Sequence, residues 1–456
     1  MNISRAYGFA LAAVVSFHLA FFFPPLAWLM LPFLFCLLQL ANLATFRLTF
    51  LFGAGIGLLS FVPHLTFFWS IFGASAITLW CVLAAWLGLY LVIGRACLVR
   101  FGPMMWAISA PFLWSGLEYT RSELYYLRFS WMDVGYAFSD SSALSFMAGF
   151  GVYGIGFVFM AWAAYAGVFM KLSGMKRLFG ALALAAISTV PCWLSAPEPQ
   201  DVKPMNTTGI QLENSPPDQV KAALDAALRK YPQTDLFVLS EYTFDGPVPA
   251  FIPAWCKQHN KWLAVGAEDP VPPSRYFDTV FVFAPDGHLA FHQAKCVPVQ
   301  FMQDGLPSRE QNLWDSPWGK VGFAVCYDAS YTRVADELIR QGAQGLIFPS
   351  MDSSDWGGAE HRMHARIAPM RAAEYGIPIF RVCSSGISQY VSPDGKVLAS
   401  APFPGPDEML FVPMEMTAQG RIPLGRAVAQ LSAVLSVALV LFLIVDVVWA
   451  PKLPEP

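Results

Sequence analysis

Val321-Gly322-Phe323-Ala324-Val325-Cys326-Tyr327-Asp328 is a run of small and apolar residues that stops on a thiol, an aromatic ring and a carboxylate. Its first residues, within Lys320–Tyr327, read as a buried β-strand. A helix near Arg333–Gln341 follows, then a strand at Gly345–Pro349, a helix near Ala359–Tyr375 and a strand at Pro378–Val382. Strands and helices that alternate in this way predict a layered α/β domain.

The same texture extends upstream. Thr208–Leu212 and Leu236–Leu239 read as strands on either side of a helix at Pro217–Lys230, whose Val220, Leu224 and Leu228 share one face. Trp262–Ala267 and Thr279–Ala284 are further strands, and an Asp286-Gly287 turn leads into Leu289–Ala294 as a hairpin. Two of these strands also end on an ionisable group: Glu241 closes Leu236–Ser240, and Lys295 closes Leu289–Ala294. A side chain at a strand end tends to face the crevice where ligands bind. A carboxylate, an ammonium and a thiol meeting there make a nucleophilic centre. The thiolate attacks, a neighbouring cation stabilises it, and the carboxylate moves the proton. Taken singly, a cysteine at a strand end is more often a core residue, and a lysine or glutamate there is more often solvated.

Residues before Leu194 are almost continuously apolar, and the chain as a whole is 55% hydrophobic and only 13% charged, where soluble domains carry about 25% charged residues. A membrane-crossing helix takes roughly 20 apolar residues. Eight stretches qualify: Ala6–Phe23, Leu26–Thr45, Leu48–Ser70, Ala74–Val99, Pro103–Tyr119, Ser142–Met170, Leu178–Leu194 and Val428–Trp449. The first is expected to be retained, because Pro24-Pro25 leads directly into another apolar run and no small-residue cleavage site follows it. With the N-terminus in the cytoplasm, Arg5, Arg47, Arg95, Arg100, Lys171, Lys176, Arg177 and Lys452 all fall on the inner side, as the positive-inside rule asks. The expected organisation is a multi-domain membrane protein. Seven helices lie in 1–195, a Pro-rich linker runs from Pro191 to Pro204, an extracytoplasmic domain fills 205–415 and an eighth helix spans 428–450.

The formal charge of −3 and the lack of a basic stripe exclude a nucleic-acid partner. The eight cysteines show neither a paired framework nor zinc spacing. His361 and His364, preceded by Glu360, could share a helix face and bind metal, but the sequence offers no third ligand. No metal or organic cofactor is expected.

The order Glu241, Lys295, Cys326 resembles the nitrilase superfamily. With the apolar segments it is most similar to that superfamily's apolipoprotein N-acyltransferase branch, and the likeness covers nearly the whole chain. It rests on Ala110-Pro111-Phe112-Leu113-Trp114, on Phe129–Tyr136, on Val297-Pro298 and on Cys326-Tyr327-Asp328. Met370–Pro378, Ser385–Ser388 and Pro393-Asp394-Gly395 fit as well. The resemblance implies an eight-helix bundle of the bacterial inner membrane that carries an α-β-β-α sandwich on its periplasmic face. It implies that Cys326 takes an acyl chain from a phospholipid as a thioester and passes it to the amine of a diacylglyceryl-cysteine lipoprotein. Glu241 would be the base and Lys295 the oxyanion partner.

This sequence departs from the family at several points. Gln303 stands where the family has a second glutamate, with Asp304 beside it as the substitute if the loop shifts by one residue; Ser240 replaces the usual proline before Glu241; and the loop Ser350–Trp356 keeps part of the usual pattern. Tyr327, Asp328, Trp356, Gln303 and Trp131 are supporting candidates. For Tyr327 and Trp356, contact with lipid competes with simple packing. Trp131 and Tyr136 are either a lipid entrance or interface anchors, and Asp133 is expected to be solvated. Two other readings remain: a membrane-tethered amidase or N-acyltransferase with a different acceptor, and a non-catalytic membrane binding protein or transporter.

Overall fold

The computed structural model describes residues 1–171, 174–189, 204–405 and 408–449. The chain forms two compact units, one helical and one built on two β-sheets.

The helical unit contains α1 (Ile3–Phe22), α2 (Met30–Leu40), α3 (Phe46–Phe61), α4 (Phe67–Phe72), α5 (Ser75–Tyr119), α6 (Leu144–Met147), α7 (Gly151–Gly167), α8 (Met175–Ser188) and α14 (Gly425–Trp449). Among the described residues, four helical segments are long and apolar enough to cross a membrane: Ile3–Phe22, Ser75–Leu124, Leu144–Lys171 and Gly425–Asp446. Pro24–Leu40 and Phe46–Phe61 are apolar but shorter. Eight separate spans were expected, and the differences have local causes. Ala74–Val99 and Pro103–Tyr119 correspond to the two helical arms of α5 (Ser75–Tyr119), which meet at a kink where Gly102 leaves helical geometry at φ 80° and ψ 176°. Leu48–Ser70 is divided because α3 stops at Phe61, just before Pro63. The expected Leu178–Leu194 helix is described only as far as Ser188, and most of the Pro-rich linker lies outside the described residues.

Small residues set the spacing in this unit. A Cβ on Gly53 of α3 would sit 2.7 Å from the Gly88 Cα of α5, and one on Gly57 would sit 2.7 Å from the Ala84 Cα. Backbones approach this closely only where side chains are absent or small. Asp133 is not solvated as expected. It is fully buried and paired with Arg121, and the Ser122 hydroxyl donates to it at 2.9 Å. Trp131 is buried between the rings of Phe67 and Phe129.

The second unit stacks two six-stranded sheets. The first has the order β12-β1-β2-β3-β4-β5, from β1 (Met205–Ile210), β2 (Leu236–Leu239), β3 (Trp262–Val271), β4 (Arg275–Phe283), β5 (Leu289–Ala294) and β12 (Met409–Met414). The second has the order β11-β10-β9-β8-β7-β6, from β6 (Leu313–Ser316), β7 (Gly319–Phe323), β8 (Gly345–Ser350), β9 (Ile379–Cys383), β10 (Gln389–Val391) and β11 (Val397–Ser400). The sheets meet where Gly209 of β1 faces Val382 and Phe380 of β9. Helices α9 (Pro217–Lys230) and α10 (Phe251–His259) bury Val220, Leu224, Ile252 and Trp255 with Phe237, Leu239 and Leu263 of the first sheet. Helices α11 (Thr332–Arg340), α12 (Gly358–Ala365) and α13 (Ile367–Tyr375) accompany the second sheet.

Candidate active site

Within the first sheet β1, β2 and β3 run parallel; within the second, β7, β8 and β9 do. Pairing with β4 turns β5 back into the direction of β3. Glu241, Lys295, Cys326 and Met351 therefore all follow the carboxyl ends of strands, where open α/β sheets form their crevices.

The structure brings the three ionisable strand-end residues together. Lys295 Nζ donates to Glu241 Oε1 at 2.7 Å, and the second Glu241 oxygen accepts the Met351 N–H at 2.7 Å. Cys326 directs its Sγ toward the Met351 carbonyl at 3.8 Å and lies within hydrogen-bonding reach of the Glu241 carboxylate. The backbone of one residue, Met351, thus touches both the carboxylate and the thiol. Cys326 itself has φ 49°, a left-handed conformation that non-glycine residues seldom adopt. It opens a tight turn, Cys326–Ser330, between β7 and α11. Two devices hold that turn. Asp328 accepts the N–H groups of Cys296 at 3.0 Å and Val297 at 2.7 Å, which fastens it to the loop after Lys295. Arg371 reaches from α13 to the carbonyls of Ala329 and Ser330 at 3.0 and 2.9 Å, and Glu374 takes its third contact at 2.7 Å.

Lys295, Glu241 and Cys326 are 1%, 2% and 5% exposed, so charge here is set by neighbours and not by water. Burial works against the Glu241 carboxylate, but the Lys295 ammonium and hydrogen bonds from Asp278, Lys295 and Cys326 together keep the carboxyl below its ordinary range. Burial likewise opposes the Lys295 charge, and Glu241 and Asp304 overcome it. For Cys326, burial and then the Glu241 charge raise the thiol well above its usual range. The resting centre is therefore a carboxylate, an ammonium and a neutral thiol. Burial also raises Asp328 to about 7, against the N–H bonds that favour its ionised form.

The supporting candidates divide. Gln303 does not reach the lysine: its side chain is exposed, and only its carbonyl is engaged, by the Tyr276 hydroxyl. Asp304 takes the place instead, 2.7 Å from Lys295 Nζ, steadied by the Val299 N–H at 2.6 Å and the Tyr242 hydroxyl at 3.0 Å. Asp278, inside β4, is also 3.5 Å from the lysine. The expected strand begins at Thr279, four residues after β4 actually starts at Arg275, and so leaves Asp278 outside it; an aspartate within an apolar strand is the signal that marks it. Tyr327 is buried and meets the Tyr331 ring edge-on, and Trp356 is partly exposed at the end of the loop that begins with Met351.

That loop is anchored by the residues considered for metal. His361 and His364 are buried and tie that loop down: one meets the Ser353 carbonyl at 2.9 Å, the other Asp352 at 2.7 Å. Asp352 is the third donor the sequence did not identify, and with Glu360 and His364 it brings ligand atoms within 4.8 Å of one another. Arg381, however, already occupies the other Asp352 oxygen at 2.7 Å. Glu241, Asp278 and Asp304 converge similarly, and there the Lys295 ammonium stands where a cation would. The chemistry open to the centre is nucleophilic attack by sulfur on an acyl carbon.

Comparison with known proteins matches the two parts of the chain to two families. The family described as "Apolipoprotein N-acyltransferase N-terminal domain" matches residues 9–166, and the family described as "Carbon-nitrogen hydrolase" matches 211–415. The second match contains all three strand-end residues. An apolipoprotein N-acyltransferase of Nitrosomonas europaea is 24% identical over 415 residues, covering 81% of this chain and 80% of that protein. An omega-amidase of Xenopus laevis is 28% identical over 164 residues, covering 32% of this chain and 59% of that protein. Among solved structures, Nit3 of Saccharomyces cerevisiae matches at 21% identity and TM-score 0.42, over 48% of this chain and 93% of that one.

Proposed function

Because the chain belongs to the apolipoprotein N-acyltransferase family, we propose that Cys326 carries an acyl group from a phospholipid to the N-terminal amine of a diacylated lipoprotein. The observation that supports this most directly is the Glu241 carboxylate, held between the Lys295 ammonium and the Cys326 thiol.

A neutral thiol beside an ionised carboxylate suits general-base catalysis. As Cys326 Sγ bonds to the ester carbon of the donor lipid, Glu241 takes the thiol proton. The oxyanion that forms is stabilised by the Lys295 ammonium and the backbone N–H after the nucleophile. Collapse breaks the ester C–O bond, Glu241 returns the proton to the departing oxygen, and a lysophospholipid leaves. The thioester is then attacked by the lipoprotein α-amine, whose proton passes through Glu241 to the departing sulfur, leaving an amide and a regenerated thiol. Tyr327 and Trp356 border this centre as contacts for the acyl chain or headgroup.

The apolar helices suit substrates that arrive laterally from a bilayer. In this reading the chain divides into 1–195, 205–415 and 428–450, with eight spans in all. Arg5, Arg47, Arg95, Arg100 and Lys176 mark the cytoplasmic side, and the two-sheet unit faces the periplasm of a bacterial inner membrane.

The test is mass spectrometry of the purified protein mixed with phospholipid. The peptide containing Cys326 gains the mass of one acyl chain, Cys326→Ala gains none, and adding a diacylated lipopeptide discharges the adduct as triacylated peptide. Absence of the adduct sinks the nucleophile assignment. An adduct that discharges only to water as free fatty acid favours a tethered amidase instead.

A further inference from the structure

Lys295 faces more negative charge than it can balance. Its Nζ lies 2.7 Å from Glu241, 2.7 Å from Asp304 and 3.5 Å from Asp278, and oxygens of the three carboxyl groups lie within 4.8 Å of one another. Asp278 is 0% exposed and its neighbours are buried too. Three anions against one cation is not sustainable in such a place, since buried like charges at this range do not all ionise. One carboxyl group must keep its proton.

The hydrogen bonds identify which one. Glu241 receives Lys295 and the Met351 N–H; Asp304 receives Lys295, the Val299 N–H and the Tyr242 hydroxyl. Asp278 receives no donor at all: both of its oxygens are buried without a hydrogen-bond partner, and its one cation contact is the longest of the three. An ionised carboxylate can only accept, so this would be an anion with its acceptors unmet. A carboxylic acid supplies its own donor.

We propose that Asp278 rests as a neutral carboxylic acid whose O–H points to the Glu241 carboxylate, holding that carboxylate ionised and turned toward Cys326. Asp278 is a positioning residue acting through Glu241, and its role as such rests on the acyl-transfer reading above. The electrostatics agree in direction. Burial and then the Glu241 charge lift Asp278 well above the usual carboxyl range. Burial lifts Asp304 as well, but Lys295 and the Val299 N–H pull it back. The other ionisable groups facing Asp278 are Tyr242 and Tyr276, both raised by burial first and so neutral, and neither brings a compensating charge.

The test compares full-length wild type with Asp278→Asn and Asp278→Ala. Asparagine keeps the shape and offers an N–H in place of the O–H, whereas alanine removes the donor. In infrared difference spectra of the resting protein at neutral pH, wild type minus D278N is expected to show the carbonyl band of a protonated carboxyl group. Acylation of Cys326 in D278N should stay within a few-fold of wild type, and in D278A it should fall by about 100-fold, the scale of a misdirected general base. A missing band, or a D278N as slow as D278A, overturns the proposal. The infrared reading uses no substrate, so it fails or succeeds independently of whether phospholipid is the acyl donor.

Discussion

Asp304 and Gln303 show how much a single position matters around a buried ammonium. The family pattern places an acidic residue at the position of Gln303, but the backbone turns so that the next side chain reaches Lys295. The adjacent acid makes this substitution readable as an alternative, but not which of the two residues turns inward; that depends on the loop, in which Phe301 adopts φ 66°. Gln303→Ala should therefore leave the rate of Cys326 acylation nearly unchanged. Asp304→Asn should slow it, with a loss of stability of about 1–3 kcal/mol from weakening one charged hydrogen-bond partner of a buried cation. Acylation rates and denaturant midpoints of the two variants measure both, and equal effects would contradict the assignment. Cys326, Glu241 and Lys295 were legible because each interrupts an apolar run. Asp278 and the Met351 backbone were not, since the first hides within a strand and the second acts through atoms that no side-chain pattern records.

At the level of elements, strands were easier to locate than the breaks between helices. Leu236–Leu239, Leu289–Ala294 and the helix Pro217–Lys230 are found where the apolar periodicity placed them. The expected helix near Ala359–Tyr375 is instead two, parted at Arg366. Pro369 is the cause: it has no N–H to give the Ala365 carbonyl and is tolerated only in a helix's first turn. That second helix, α13, carries Arg371 to the turn that opens with Cys326. Arg371→Met leaves the Glu374 carboxylate buried without its cation, so a loss of about 3–5 kcal/mol is expected. Thermal denaturation followed by tryptophan fluorescence would register it. A melting temperature equal to wild type would show that the turn is held by other means. The short strand β6 was missed because four residues containing one aspartate and one serine carry no apolar run.

For the whole molecule, the sequence conveyed the division into an apolar helical part and an α/β part, and hydropathy located the apolar segments. The kink at Gly102 falls between two segments that the sequence separates, whereas the end of α3 at Phe61, inside one apolar run, is marked by nothing but the nearby Pro63. The proposed sidedness has a direct check. Lys230 is exposed at the end of α9, so Lys230→Cys should react with a membrane-impermeant maleimide in intact spheroplasts, above the background of the chain's own cysteines. Labelling only after the membrane is breached would place the two-sheet unit in the cytoplasm.

The backbone of Met351 has a mechanical corollary. Its N–H holds a residue that follows β2, its carbonyl meets a residue that follows β7, and it belongs to the chain leaving β8. Asp328 ties the same end of the second layer to the loop after β5. The hinge pin between the two layers and the working parts are therefore the same few atoms. Any slippage of one layer over the other dismantles the chemistry first, so catalytic competence serves as the most sensitive gauge of whether the layers are in register.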